Sequence, residues 1–166
     1  MKLYLFYNTL KSWNKNQANL KSKAESNWKK QSNKTGIMKT TILSWVLRIT
    51  VAVILSQTLY FKFTGAEESI HIFTTLGVEP YGRIATGILE LMTVILILIP
   101  RTTLLGALLG CGIMIGAILS HLFVLGIEIE NDGGTLFALA HITLFSCLTL
   151  IFLNRDKLQN LLKLKP

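Results

Sequence analysis

Cysteine is nearly absent: Cys111 and Cys147 are the only two in 166 residues, and no CxxC pair occurs. That argues against a dithiol catalyst and leaves both as small packing residues. No cofactor motif of any kind is present, so electrons for any redox chemistry would have to come from a partner or a bound substrate. The acidic run Glu128, Glu130, Asn131 and Asp132, followed by Gly133 and Gly134, lacks the spacing and distal glutamate of a calcium loop. A solvated turn is expected there, and no metal. A net charge of +8 comes without any nucleic-acid reading module, its bases being spread along a polar tail and helix ends. Nucleic acid is therefore not the expected partner. The first apolar stretch is also too long for a secretory signal and has no small-residue cleavage site after it.

What the chain does have is four long apolar stretches, Ile42 to Phe63, Ile84 to Ile99, Thr103 to Leu125 and Leu136 to Leu153. Each can cross a hydrocarbon core about 30 Å thick at roughly 1.5 Å per residue, the second with help from its flanks. A soluble chain of mean hydropathy +0.48 would have to hide four apolar helices in one small core. The predicted fold class is all-α: a four-transmembrane-helix bundle in contact with the lipid bilayer.

Orientation follows from the bases. Residues 1–37 hold eight lysines against Glu25, a net +7 of the chain's +8, and the tail after Leu153 holds Arg155, Lys157, Lys163 and Lys165 against Asp156. The link between the second and third stretches offers Arg101. The other two links carry an acidic excess: Glu67, Glu68 and Glu79 against Lys62 and Arg83 in one, Glu128, Glu130 and Asp132 with no base in the other. The positive-inside rule then predicts a multi-pass protein of the cytoplasmic (inner) membrane with both termini cytoplasmic. Three regions are expected: a polar basic extension over 1–37, a membrane domain over 38–154 and a basic tail over 155–166. The extension reads as a tail too polar to order itself, or as sequence upstream of a start at Met38; an interfacial helix built on Leu3, Phe6, Tyr7, Leu10 and Trp13 is the weaker alternative.

Between the first two stretches, Thr64-Gly-Ala-Glu67 has capping-box spacing. Ile70, Phe73 and Leu76 follow at helical intervals, with Gly77 as a stop. This predicts a short amphipathic interfacial helix, turned into the second span by Pro80, with Tyr81 at headgroup level.

Five ionisable groups fall in the outer half of the bundle: Lys62, Arg83, Glu90, His121 and His141. Arg83 and Glu90 are seven apart on one face, about 10 Å along the helix. A charge at mid-span costs on the order of 3 kcal/mol, so Glu90 should be paired, protonated or facing a polar cavity. One reading makes the five a pocket in which Glu90 and a histidine exchange protons. The blander one has Glu90 pair with Lys62 or Arg83 to fix helix register, each histidine bonding a neighbouring carbonyl. Two histidines also admit haem, but His121 is shallower than His141. On the third stretch Gly112 with Gly116, and Gly106 with Gly110 and Ala117, offer two faces for close packing. Arg48, at the cytoplasmic side of the first stretch, is expected to snorkel to the headgroups.

Tyr60-Phe-Lys-Phe-Thr-Gly65, Leu76-Gly-Val-Glu-Pro80, Gly82-Arg83 and Gly87-Ile-Leu-Glu90 together resemble the DoxX family of small four-helix membrane proteins, over roughly 42–153. Lys62 and Glu90 match the family's pattern. The resemblance implies an inner-membrane protein, in some members the small subunit of a thiosulfate:quinone oxidoreductase. On that footing the expected function is a quinone-linked redox subunit with a partner redox subunit and an outer-half pocket. The alternative is a non-enzymatic scaffold or assembly factor; a proton or solute conductor would need polar groups continuing past Arg48, Ser146 and Thr149.

Overall fold

The computed structural model describes residues 2–129 and 132–163, and all regular structure among them is helical. The elements are α1 (Lys2–Thr64), α2 (Glu67–Thr75), α3 (Tyr81–Leu98), α4 (Thr103–Ser120) continued by a π-helical turn (His121–Leu125), α5 (Thr135–Leu153) and α6 (Arg155–Lys163). The chain divides into two units, Met1–Ile42 and Leu43–Pro166. The first is helical from Lys2 onwards, where the sequence suggested a tail without order. Its lysines, asparagines and serines contain no proline and a single glycine, Gly36, so nothing in the backbone interrupts a helix once one is nucleated. The sequence placed a short apolar stripe at Leu3, Phe6, Tyr7, Leu10 and Trp13; of these only the Trp13 side chain is described, and it is exposed.

The membrane spans are Thr40–Thr64 at the end of α1, which begins in the last residues of the first unit, and Tyr81–Leu98, Thr103–Leu125 and Thr135–Leu153 in the second. These agree closely with the apolar stretches read from the sequence. The second span begins earlier than its first branched apolar residue because Pro80 sits at the N-cap of α3, leaving Tyr81, 85% exposed, as its first residue. Only 28% of the most apolar window of each span is buried, although the uncovered remainder is rich in Ile, Leu and Phe. A helix apolar all round and covered on one side has lipid on the other. This is a multi-pass membrane protein.

Inside the bundle α4 is central, packing on both α3 and α5. Val51, Leu55, Ile97, Ala107, Cys111, Met114, Cys147 and Leu150 form the core. Close approach is bought with glycine: a Cβ on Gly106 would lie 2.7 Å from the Ile97 nitrogen, and one on Gly110 would lie 2.9 Å from Cys147 Sγ. That face of α4 packs as the sequence suggested. The Gly112 and Gly116 face does not, since a Cβ at either would meet nothing within 4 Å.

The interfacial helix α2 forms, but the capping box does not. Thr64 still belongs to α1, and its hydroxyl donates back to the Tyr60 carbonyl at 2.8 Å; the N-cap of α2 is Ala66, whose extended backbone starts the new helix. Gly77 acts as the stop. With φ +71 it lets its own amide reach the Thr74 carbonyl (2.9 Å) and the Val78 amide reach Phe73 (3.0 Å), the paired bonds of a Schellman termination.

Candidate functional site

A cavity of about 670 Å³ lies between α1, α2, α3, α4 and α5, at the end of the bundle that holds Lys62. Its walls are mostly apolar, among them Leu55, Phe61, Leu89, Ile113 and Ala117, and α2 closes one side with Ser69, Ile72, Phe73 and Leu76. Gly112 and Gly116 line it as well, which explains why nothing packs on them: the missing side chains leave the space open.

Three of the five ionisable groups meet here. Glu90 is 3% exposed on α3, and its Oε1 lies 2.6 Å from Lys62 Nζ across the gap to α1. Oε2 is 3.1 Å from Thr58 Oγ1, whose single hydrogen is shared with the Leu55 carbonyl at 2.9 Å. Thr58 and Lys62 are one helical turn apart and present both partners from one face of α1. Thr58 was not among the candidate residues read from the sequence. Its spacing of four from Lys62 was the available signal. Both Lys62 and Glu90 line the cavity, so the pair is open to whatever occupies it.

His121, 6% exposed, is the third. It opens the π-helical turn, and Gly126 completes it: the Gly126 amide donates to the His121 carbonyl at 2.8 Å, while His121 Nδ1 is 2.9 Å from the Gly126 carbonyl. A carbonyl only accepts, so Nδ1 carries the hydrogen, and when the ring is neutral Nε2 is the acceptor. Gly126 has φ +84, which fixes glycine at the position that orients the imidazole.

Arg83 and His141, the other two candidates, do not line the cavity. Arg83 is held by Glu79 one turn back on the chain, with Nε at 2.9 and 3.1 Å from its two oxygens and Nη2 at 2.8 Å from Oε1. Its Nη1 donates to the Lys62 carbonyl, one of the acceptors that the end of α1 leaves without a helical partner. Arg83 therefore ties the end of the first span to the start of the second and does not line the cavity. His141 is exposed, and its Nδ1 bonds the Phe137 carbonyl at 2.8 Å. The buried face of α5 runs through Ala140, Thr143, Cys147 and Leu150, and a residue beside that stripe is turned about 100° away from it. Phe137 packs edge-on against both imidazoles, 5.5 Å from His121 and 4.4 Å from His141, so the two histidines do not converge as a ligand pair.

The loop before α5 is built around Asp132. Its Oδ1 accepts from the amides of Gly134 (2.8 Å) and Ile129 (3.0 Å), and Oδ2 accepts from Leu136 (3.0 Å) in the first turn of α5. Burial pushes this carboxyl up, but the three amides, aided by His121, outweigh it and hold it below its ordinary value. Glu130 and Asn131 of the same acidic run lie outside the described residues. Cys111 and Cys147 are both free and buried in the core. No group of three or more His, Cys, Asp or Glu that could hold a metal occurs among the described residues.

Comparison with curated proteins and with solved structures returned no match. The family model of the DoxX-like family matches residues 46–151, which takes in most of the first and last spans, all of the middle two, the Lys62–Glu90 pair and His121, and the chain belongs to that family.

Proposed function

We propose that this protein is a quinone-linked redox subunit of the cytoplasmic membrane, with both termini cytoplasmic, and that the cavity beside Lys62 and Glu90 receives the quinone head group. The observation that carries the reading is the cavity itself: an apolar space of about 670 Å³ with a buried, hydrogen-bonded ion pair and an imidazole on its wall. That size lies within the usual range of small-molecule pockets, about 300–1,000 Å³, and so does the pattern of mostly apolar walls with few polar groups. A flat ring bearing carbonyl oxygens suits it. Lys62 uses one of its three hydrogens on Glu90 and has others to offer a carbonyl, while Nε2 of His121 can accept from a hydroxyl. A bound quinone would supply the electron acceptor, and the residues around it would position it, exclude water and hold protons. The chain has no redox cofactor motif, so electrons would come from a partner redox subunit. The Lys/Arg distribution supports the orientation.

The test is a fluorescence-quenching titration of the purified protein with a short-chain quinone, parent against Glu90→Gln. Saturable binding that the substitution weakens supports the reading; no binding by either protein removes it. One observation favours a second reading. Lys62 and Glu90 already satisfy each other, and Arg83 already joins Glu79 to the end of α1, so both contacts could serve only to fix the bundle as a scaffold for a partner complex. In that case the parent would bring down a partner on affinity isolation yet bind no quinone.

A further inference from the structure

At the other end of the bundle from Lys62, α1 buries a cation that the cavity does not use. Ser44, Arg48, Val51, Ala52 and Leu55 form one continuous buried face of α1, and Arg48 on it is 7% exposed. The snorkelling expected from the sequence is therefore not what the side chain does: it lies on the bundle side of the helix. Two of its guanidinium nitrogens, Nε and Nη1, are buried without a hydrogen-bond partner, and no carboxylate pairs with it among the described residues. A buried guanidinium without a counter-charge is one of the costliest groups a fold can hold, so an anion from outside the chain is called for.

The direction of the side chain says which anion. Side chains lean toward the N-terminus of their helix, and the Arg48 guanidinium stacks over the ring of Trp45, three residues nearer that end, at 5.1 Å. Indole rings favour the membrane–water boundary, where lipid phosphates lie. Other bases gather at this end. Arg101 and Arg155 are exposed, and Lys157 donates to the Pro100 carbonyl at 3.2 Å, so its field attracts anions. A planar fork of N–H donors matches the oxygens of a phosphate.

We propose that Arg48 is an oxyanion site, filled by the phosphate of a phospholipid headgroup that enters between α1 and the neighbouring spans. Trp45, 42% exposed and lying over the guanidinium, is the side chain that swings aside to admit it. The buried Ser44, one turn nearer the end on the same face, is the second donor in reach of the phosphate.

The experiment is native mass spectrometry of the full-length protein after washing in a delipidating detergent and addition of phosphatidylglycerol. A parallel thermal-unfolding series uses inorganic phosphate alone. The parent is expected to retain phosphatidylglycerol, Arg48→Gln to retain roughly tenfold less, and Arg48→Lys to fall between, since one charge-assisted pair is at stake. Protection of the parent, but not of Arg48→Gln, by inorganic phosphate without lipid retention keeps the oxyanion site and makes its source a free anion. Equal lipid retention by parent and Arg48→Gln overturns the proposal. Where Arg48→Gln does not reach the membrane, the parent decides alone: no retained phosphatidylglycerol and no response to phosphate also overturn it.

Discussion

A buried ion pair is fixed by what each partner would lose without the other. Glu90 and Lys62 meet at 2.6 Å, with Thr58 on the second carboxylate oxygen, and Glu90 is almost wholly buried. Lys62→Met leaves the Glu90 carboxylate buried and unpaired, and should cost on the order of 3–5 kcal/mol of stability. The double variant Lys62→Met with Glu90→Leu removes both charges and should recover most of that loss while remaining unable to bind quinone. Thermal unfolding in detergent measures the first effect and the quenching titration the second. A double variant that still binds as the parent does would take the site away from these residues. The pair was legible in the sequence because a mid-span glutamate has to find a cation and few are within reach. Arg83 was misassigned to it on the strength of a shared face at a spacing of seven. Glu79, at a spacing of four, outcompetes Glu90 for the guanidinium through simple proximity. Arg48 lies on the same buried stripe as Val51 and Leu55. The habit of arginines near a span's end suggested otherwise.

At the scale of the element, α4 carries two glycine faces with opposite duties. Gly106→Ala puts a Cβ 2.7 Å from the Ile97 backbone nitrogen, where no side-chain rotation relieves the clash. About 1–3 kcal/mol of stability should be lost, read as a lowered Tm. A Cβ on Gly112 meets nothing within 4 Å, so Gly112→Leu should leave Tm near the parent's, yet it extends into the cavity and should weaken quinone binding about tenfold or more. The sequence reading saw two small-residue faces and assigned packing to both, because spacing reports that a close approach is allowed and says nothing about what makes it. The start of α5 depends on Asp132 in a similar way. Asp132→Ala strips acceptors from three amides and should cost about 1 kcal/mol, as loss of a helix cap does. Because the folded-state carboxyl is held below its ordinary value, its contribution is present at neutral pH and fades as pH falls through that depressed range. The parent and Asp132→Ala should therefore converge in stability in strong acid, and a gap that persists there would assign the effect to something other than this ionisation. The cap was not legible beforehand: Asp132 acts from ahead of the assigned N-cap, Gly134, across a turn whose glycines take φ +61 and +76.

Across the whole molecule, four spans put the two flanks of the bundle on the same side of the membrane whichever way the chain inserts, and charge decides which side. Arg101, Arg155 and Lys157 gather at one end. The links at the other end carry Glu67, Glu68, Glu79 and Asp132, with Lys62 and Arg83 occupied by carboxylates of the bundle itself. The bases that remain to interact with headgroups are thus at the Arg48 end, and the orientation proposed on the positive-inside rule puts that end in the cytoplasm. The spans themselves were legible because a helix that must satisfy every backbone group in lipid leaves a long apolar signature. Their rotations were not, since His141 differs from a core position only by about 100° about its axis. Orientation can be read with single cysteines placed in a chain whose Cys111 and Cys147 are replaced by alanine. Gly133→Cys, in the exposed turn before α5, should react with a membrane-impermeant maleimide on intact cells, and Asp156→Cys, exposed on α6, only after the cells are opened. The reverse pattern would put the cavity's end toward the cytoplasm and overturn the orientation read from the Lys/Arg distribution.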